Sequence, residues 1–245
     1  MTVGNSINKQ FPLDGASGGT GVANTSKTIT LGGNLTTSGA NNVTFTTTGS
    51  TSLTLPTSGT LATTAGSGAI TFLTSATASS SATLDFTTNL TSTYDAYLFV
   101  LAGLIPQTNA QDLWIRISTD GGGTWKSGGT DYRYMSLLLG YATGGTNSLA
   151  AAQLQVNATG AGTTNISNAA GNTINGCIYL FNPAVATFPA FSMNLCFVDS
   201  AAGYEVTSVG SGAYNTAAAI NGVRFLMSSG NITSGVIRLY GIKNS

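Results

Sequence analysis

The sequence predicts an all-β protein: an N-terminal shaft of intertwined β structure, followed by a C-terminal antiparallel β-sandwich head. Three observations predict it. Residues 18 to 66 carry short apolar dyads in a background of Gly, Thr, Ser and Asn with almost no charge. From residue 67 onward, short runs alternate apolar and polar residues with a period of two, the period of a half-buried strand. No stretch shows the 3.6-residue apolar spacing of an amphipathic helix. The abundance of Thr, Val and Ile favours strands. A hydrophobic content of 42%, with 9% aromatics and a mean hydropathy of +0.20, separates the chain from disordered Gly/Ser-rich sequences.

Residues 1 to 17 are mostly polar, with Phe11, Pro12 and Leu13 as the only apolar cluster, and read as an extended tail that orders against something else, an anchor. The Gly18-Gly-Thr-Gly21 turn follows; no strand precedes it and no Lys-Ser/Thr pair closes it, so it does not read as a phosphate cradle. The dyads Ile29/Leu31, Val43/Phe45 and Leu53/Leu55 then start at intervals of 14 and 10 residues. Between Lys27 and Leu61 there are only eight large apolar side chains. Each contributes roughly 1.5–3 kcal/mol when fully buried, whereas ordering the backbone costs roughly 1–2 kcal/mol per residue. Partner chains must therefore supply the missing interior, with the dyads aimed at a common axis and the Thr/Ser faces in water. Pro56 and Gly59 punctuate the end of the shaft, and 63 to 68 is linker-like.

Residues 67 to 245 hold both tryptophans and most of the charges, and read as the head. Nine strand-like runs follow one another: Ala82 to Phe86, Asp95 to Leu101, Leu113 to Ser118, Tyr132 to Leu139, Leu154 to Val156, Gly176 to Phe181, Phe191 to Val198, Val223 to Met227 and Gly235 to Ile242. Phe191, Met193, Leu195 and Phe197 share one face, as do Val223, Phe225 and Met227 with Arg224 opposite, and these faces should point inward. Runs of this length with Gly/Asn-rich connections suggest two packed antiparallel sheets of jelly-roll or related topology. Residues 158 to 173 read as a long loop or an exposed hairpin.

Eight basic and eight acidic residues give a net charge of zero, and only 7% of the chain is charged, so nucleic acid is not an expected partner. The longest apolar stretch, Tyr97 to Ile105, is far short of the roughly 20 residues that a membrane-spanning helix needs. Met1 to Asp14 lacks the basic and long apolar stretches of a secretory signal, so export by that route is not expected. Cys177 and Cys196 are too few for a disulfide framework or a four-ligand zinc site, and read as two small buried hydrophobes, with a disulfide between them as the alternative. The chain has no histidine, hence neither the commonest general base nor the usual triad orienter. Asp112, Asp120 and Asp131 read as turn caps rather than a Ca²⁺ site, since no EF-hand spacing is present. Neither a catalytic residue, a metal nor a cofactor is expected.

Ser118-Thr-Asp120-Gly-Gly122-Gly-Thr124-Trp125 matches the Asp-box of sialidases and related β-propellers. Physically it describes a strand end, a carboxylate that accepts turn N–H groups, glycines free to take positive φ, and a Trp packing beneath. A sialidase would need several boxes, an arginine cluster and a Tyr/Glu nucleophile pair, whereas this chain has one box and, in the head, one glutamate, Glu205. Aromatics beside turns are the other candidates for chemistry. Trp125, Tyr132, Tyr204 and Tyr214 are placed to touch a glycan or, alternatively, to pack within the fold.

Gly18-Gly-Thr-Gly-Val-Ala-Asn-Thr, Lys27-Thr-Ile-Thr-Leu-Gly-Gly-Asn-Leu and Leu53-Thr-Leu-Pro-Thr-Ser-Gly-Thr-Leu resemble shaft sequences of tailed-bacteriophage fibre proteins. Tyr94-Asp-Ala-Tyr-Leu-Phe-Val-Leu-Ala-Gly-Leu, Arg116-Ile-Ser-Thr-Asp-Gly-Gly and Ser234-Gly-Val-Ile-Arg-Leu-Tyr-Gly-Ile look like the β-rich heads of phage virion proteins. The resemblance implies a homotrimeric, non-enzymatic fibre assembled in a host cytoplasm. Its N-terminus would bind other virion proteins through Phe11, Pro12 and Leu13, its shaft core would be Ile29, Leu31, Val43, Phe45, Leu53 and Leu55, and its heads would meet a host-surface glycan. The short shaft fits a neck or capsid fibre as well as a tail fibre.

Overall fold

The computed structural model describes residues 49–50, 70–139, 144–157 and 165–242. The chain divides into two units, Met1–Thr60 and Leu61–Ser245, and every strand described here belongs to the second. The anchor residues Phe11, Pro12 and Leu13 and the shaft residues Ile29, Leu31, Val43, Phe45, Leu53 and Leu55 lie outside the described residues, as do residues 158–164 of the 158 to 173 loop.

Twelve strands follow one another, and no helix occurs among the described residues: β1 (Ile70–Thr77), β2 (Leu84–Phe86), β3 (Ala96–Pro106), β4 (Leu113–Ser118), β5 (Tyr132–Leu139), β6 (Gly144–Ala151), β7 (Leu154–Gln155), β8 (Ile174–Phe181), β9 (Ala190–Val198), β10 (Glu205–Tyr214), β11 (Gly222–Met227) and β12 (Ile232–Ile242). The expected all-β class holds, and every pairing between these strands is antiparallel. Each of the nine anticipated runs overlaps a strand, with boundaries that differ by up to a few residues. Three strands were not anticipated: β1, and β6 and β10, whose sequences are rich in small and polar residues with few large apolar ones.

An eight-stranded sheet has the order β1-β12-β3-β8-β9-β10-β5-β6, and a four-stranded sheet the order β2-β11-β4-β7. The pairing is nested. β1 pairs β12, β2 pairs β11, β3 pairs β8 and β4 pairs β7, as if one long hairpin had been folded over, successive pairs falling alternately in the large and the small sheet. The β5–β6 hairpin is inserted between β4 and β7, and the β9–β10 hairpin between β8 and β11; both widen the large sheet.

One apolar core joins the two sheets. Phe99 of β3 meets Phe86 of β2 and Phe225 of β11 edge-on, at centroid distances of 5.2 and 5.3 Å, and Phe86 meets Phe225 at 6.0 Å. Period-two alternation decides which side chains take part: Phe191, Met193, Leu195 and Phe197 are all buried, as are Val223, Phe225 and Met227, while Arg224 points the other way. A buried tyrosine hydroxyl staples the turn before β3, since Tyr97 Oη donates to the Thr91 carbonyl at 2.8 Å and accepts the Thr91 N–H at 2.9 Å. Glycine is obligatory at two close approaches. At Gly176 (φ 144°) a Cβ would lie 2.2 Å from the Asn194 carbonyl oxygen, and at Gly235 (φ 108°) 2.5 Å from that of Gly103.

Candidate functional site

The Asp-box motif folds as the chemistry of its letters dictates. Ser118 ends β4 fully buried, donates its hydroxyl to Asp120 Oδ1 at 2.6 Å, and accepts the N–H groups of Gly122 (2.9 Å) and Asp120 (3.2 Å). Asp120 Oδ1 also accepts the Thr124 N–H at 2.8 Å. The Ser118 hydroxyl and then the Thr124 groups hold the Asp120 carboxyl down to about 2, well below the usual carboxylate range. Gly121 and Gly122 take φ of 70° and 94°, and a Cβ at Gly122 would strike the Thr87 methyl at 2.6 Å. Every one of these contacts shapes the turn.

Trp125, at the end of that turn, is half-buried, with the Arg224 guanidinium 4.3 Å from its ring centroid. Arg224 is fixed by a two-point bond to Asp85, Nε to Oδ1 at 2.8 Å and Nη2 to Oδ2 at 2.6 Å. Arg116 stands directly across the strand pair from Arg224. Arg133 on β5 and Arg238 on β12 belong to the other sheet, so the four arginines of the head do not converge.

The four aromatic candidates do not form one site. Tyr132 is fully buried; its hydroxyl accepts the Ile117 N–H at 2.8 Å and donates to the Lys126 carbonyl at 3.0 Å. That burial pushes its phenol well above the usual tyrosine range. Tyr214 is buried against it, with centroids 5.8 Å apart. The sequence offered both rings as glycan contacts; their burial corrects this, and the alternative role in packing is the one they fill. Tyr204 is 61% exposed, on the turn leading into β10, while the Tyr132–Tyr214 pair sits at that strand's far end. Ten extended residues put Tyr204 roughly 30 Å from the Trp125 end of the molecule.

The aspartates are also dispersed. Asp112 precedes β4 and Asp120 follows it, and Asp131 Oδ2 caps its own turn by accepting the Gly128 N–H at 2.6 Å. Asp112 is partly buried and accepts amide N–H bonds from Asn157 and Asn165, both at 2.9 Å. Burial raises its carboxyl above the usual range, against the lowering effect of the two amides. Among the described residues no three His, Cys, Asp or Glu side chains gather in a way that could hold a metal ion. Both cysteines are free thiols. Cys196 is exposed, not buried as its apolar neighbours suggested, because its even register turns it to the opposite face from Leu195 and Phe197.

Two hollows that the sequence did not reveal open on β5, β6 and β10. One of about 570 Å³ is lined by Arg133, Met135, Asn147, Leu149, Phe191 and Ser211 among others. A second, of about 430 Å³, shares Met135, Asn147 and Ser211 with it. The Arg133 guanidinium sits 5.0 Å from the ring centroid of Phe188. The only sequence signal was the odd-numbered series Arg133, Met135, Leu137 and Leu139, which leaves large side chains on the face opposite Tyr132 and Leu138. No protein-family model matches the chain, and no curated protein matches it in sequence.

Proposed function

We propose that the chain is a non-enzymatic, homotrimeric fibre protein of a tailed-bacteriophage virion, with residues 1–17 as virion anchor, 18–66 as intertwined shaft and 67–245 as a jelly-roll-like β-sandwich head. The observation that carries this reading is the nested strand pairing. Four antiparallel pairs alternating between two sheets, with two hairpins inserted, make the connectivity of a jelly roll, an architecture of viral shells and lectins. The dyad-bearing shaft sequence ahead of it supports the fibre assignment.

A structural rather than catalytic role is supported by the Asp-box. Its carboxylate is consumed by turn hydrogen bonds, and the arginines that a sialidase would converge are spread over two sheets. In this reading the head contributes to host attachment through weak glycan contacts, to which half-buried Trp125 and exposed Tyr204 remain available. Three heads on one fibre would multiply such contacts, avidity exceeding a single site by roughly 10²–10⁴. The test is location. Antibodies raised against the purified protein should decorate projections of tailed particles, at tail, neck or capsid, in electron micrographs of the lysate in which the chain is made. Particles that carry no label while the free protein is abundant would overturn the assignment.

A further inference from the structure

We propose that the outward face of the eight-stranded sheet is a self-association surface, against which a second copy of this chain packs. The register defines the face. Phe72 lies opposite Tyr240 and touches it edge-on at 5.6 Å, Tyr179 stacks along its strand on Phe181 at 6.1 Å, and Val209 lies opposite Leu137. All of these point away from the core. Of the large apolar side chains left exposed, Met135 (63%), Phe72 (55%), Ile70 (54%), Leu137, Leu139 and Phe181 lie here, from one edge of the sheet toward the other. Isolated exposed apolar residues are ordinary, but two groups of them on one sheet face, flanking the Ser192 and Asn194 strip of β9, mark an interface.

Area, charge and texture select a copy of the chain as occupant. Seven strand spacings of about 4.8 Å by four alternate residues per strand give a face of roughly 35 by 20 Å, about 700 Å². Standard protein–protein interfaces bury roughly 600–1,000 Å² per partner, a range that a face of this size meets. The formal charges on the face, among the described residues, are Arg133, Arg238 and Glu205, of mixed sign, and the whole chain is neutral, so copies meet without net repulsion. Ser192, Asn194, Ser211 and Asn147 are interleaved with the apolar residues, which suits a protein surface and not a lipid one. The two hollows open on this face, and Leu149, 86% exposed, lines the larger of them. The inference rests on the fibre reading only in taking a copy as the partner; it adds that the heads, and not the shaft alone, hold the assembly together.

Cys196 reports on the face directly, because it is exposed on it, opposite Asn175 on one side and Thr207 on the other. The test measures the mass of the full chain by sedimentation and the rate at which a maleimide modifies Cys196, read by peptide mass spectrometry, in the native protein and in the double variant Met135→Glu, Leu137→Glu. Far-UV circular dichroism checks that the variant keeps its β signature. A native multimer whose Cys196 reacts several-fold more slowly than in the variant is the expected result. A multimer whose Cys196 reacts as fast as it does in urea overturns the inference while leaving the self-assembling fibre intact. Slow reaction that persists in a folded variant also overturns it, since shielding would not depend on Met135 and Leu137. A monomer with a shielded thiol would mean that residues preceding β1 cover the face, and a monomer with a reactive thiol would sink the homotrimer as well.

Discussion

At the scale of single residues, the small sheet's end is held by buried hydroxyls that each serve two strands or turns. Ser118→Ala removes one donor and leaves the N–H groups of Asp120 and Gly122 without their acceptor, which should cost about 1–3 kcal/mol in urea unfolding with an unchanged m-value. Tyr132→Phe should cost a similar amount, about 1–3 kcal/mol, because it orphans the buried Ile117 N–H. The two perturbed carboxyls set opposite pH dependences. The folded-state value of Asp120, about 2, lies below its ordinary 3.8, so its contribution is complete above pH 3.8 and is lost as pH falls through 2. Asp112 is raised, so it binds its proton more readily in the folded state, and stability rises as pH is lowered toward 3.8. Thermal melts from pH 7 to 2 should therefore decline below about pH 4, and Asp120→Asn should reduce that decline without affecting the gain from Asp112. The turn was legible in the letters Ser118, Asp120 and Trp125 because its hydrogen bonds are local. Tyr132 and Tyr214 were not, since whether a ring beside a turn is buried depends on which strand crosses it.

At the scale of the elements, the strands read correctly from sequence are those with an apolar series on one face, such as Phe191 to Phe197. β10 was missed because its core side carries Ser208, Gly210 and Gly212 where a strand signal would need large residues. The structure supplies the reason for the small residues. A Cβ at Gly210 would lie 2.7 Å from the Met135 carbonyl oxygen, and one at Gly212 would lie 2.5 Å from Leu154 Cδ1, so bulk on this strand is excluded by its neighbours. β6 owes its place to pairing with β5, not to its own composition. Gly176 shows the same dependence on context most sharply. Gly176→Ala places a methyl against the backbone of β9 at a φ that L-residues avoid, and should cost about 2–4 kcal/mol or prevent folding, whereas Gly171→Ala, also at positive φ but with open space around it, should cost only about 1 kcal/mol. Denaturant midpoints of the two variants check the contrast.

At the scale of the whole molecule, nested pairing dictates an order of events. The pairs that tie the sheets together join distant segments: β1 meets β12, whose residues Ile242 and Ile70 are partners near the two ends of the described chain. Closing such loops costs about 0.6 kcal/mol for each doubling of length, a cost that falls once the segments between them are ordered. The β8–β9–β10 meander, by contrast, is made of sequence neighbours and already carries a run of buried side chains, Phe191, Met193, Leu195 and Phe197. Unlike the nested pairs, it can form before the ends meet. The meander should then be ordered in the folding transition state, and β1 should dock after it. Leu195→Ala, at a fully buried site, should lose about 2–5 kcal/mol, with much of the loss appearing as slower folding. Leu73→Ala on β1, partly buried against the same core, should act almost entirely by speeding unfolding. Stopped-flow chevrons recorded through Trp114 and Trp125 fluorescence separate the two limbs. A Leu195→Ala variant that folds at the native rate, with all its loss in unfolding, would place the nucleus elsewhere and leave the nested pairs to close by another route.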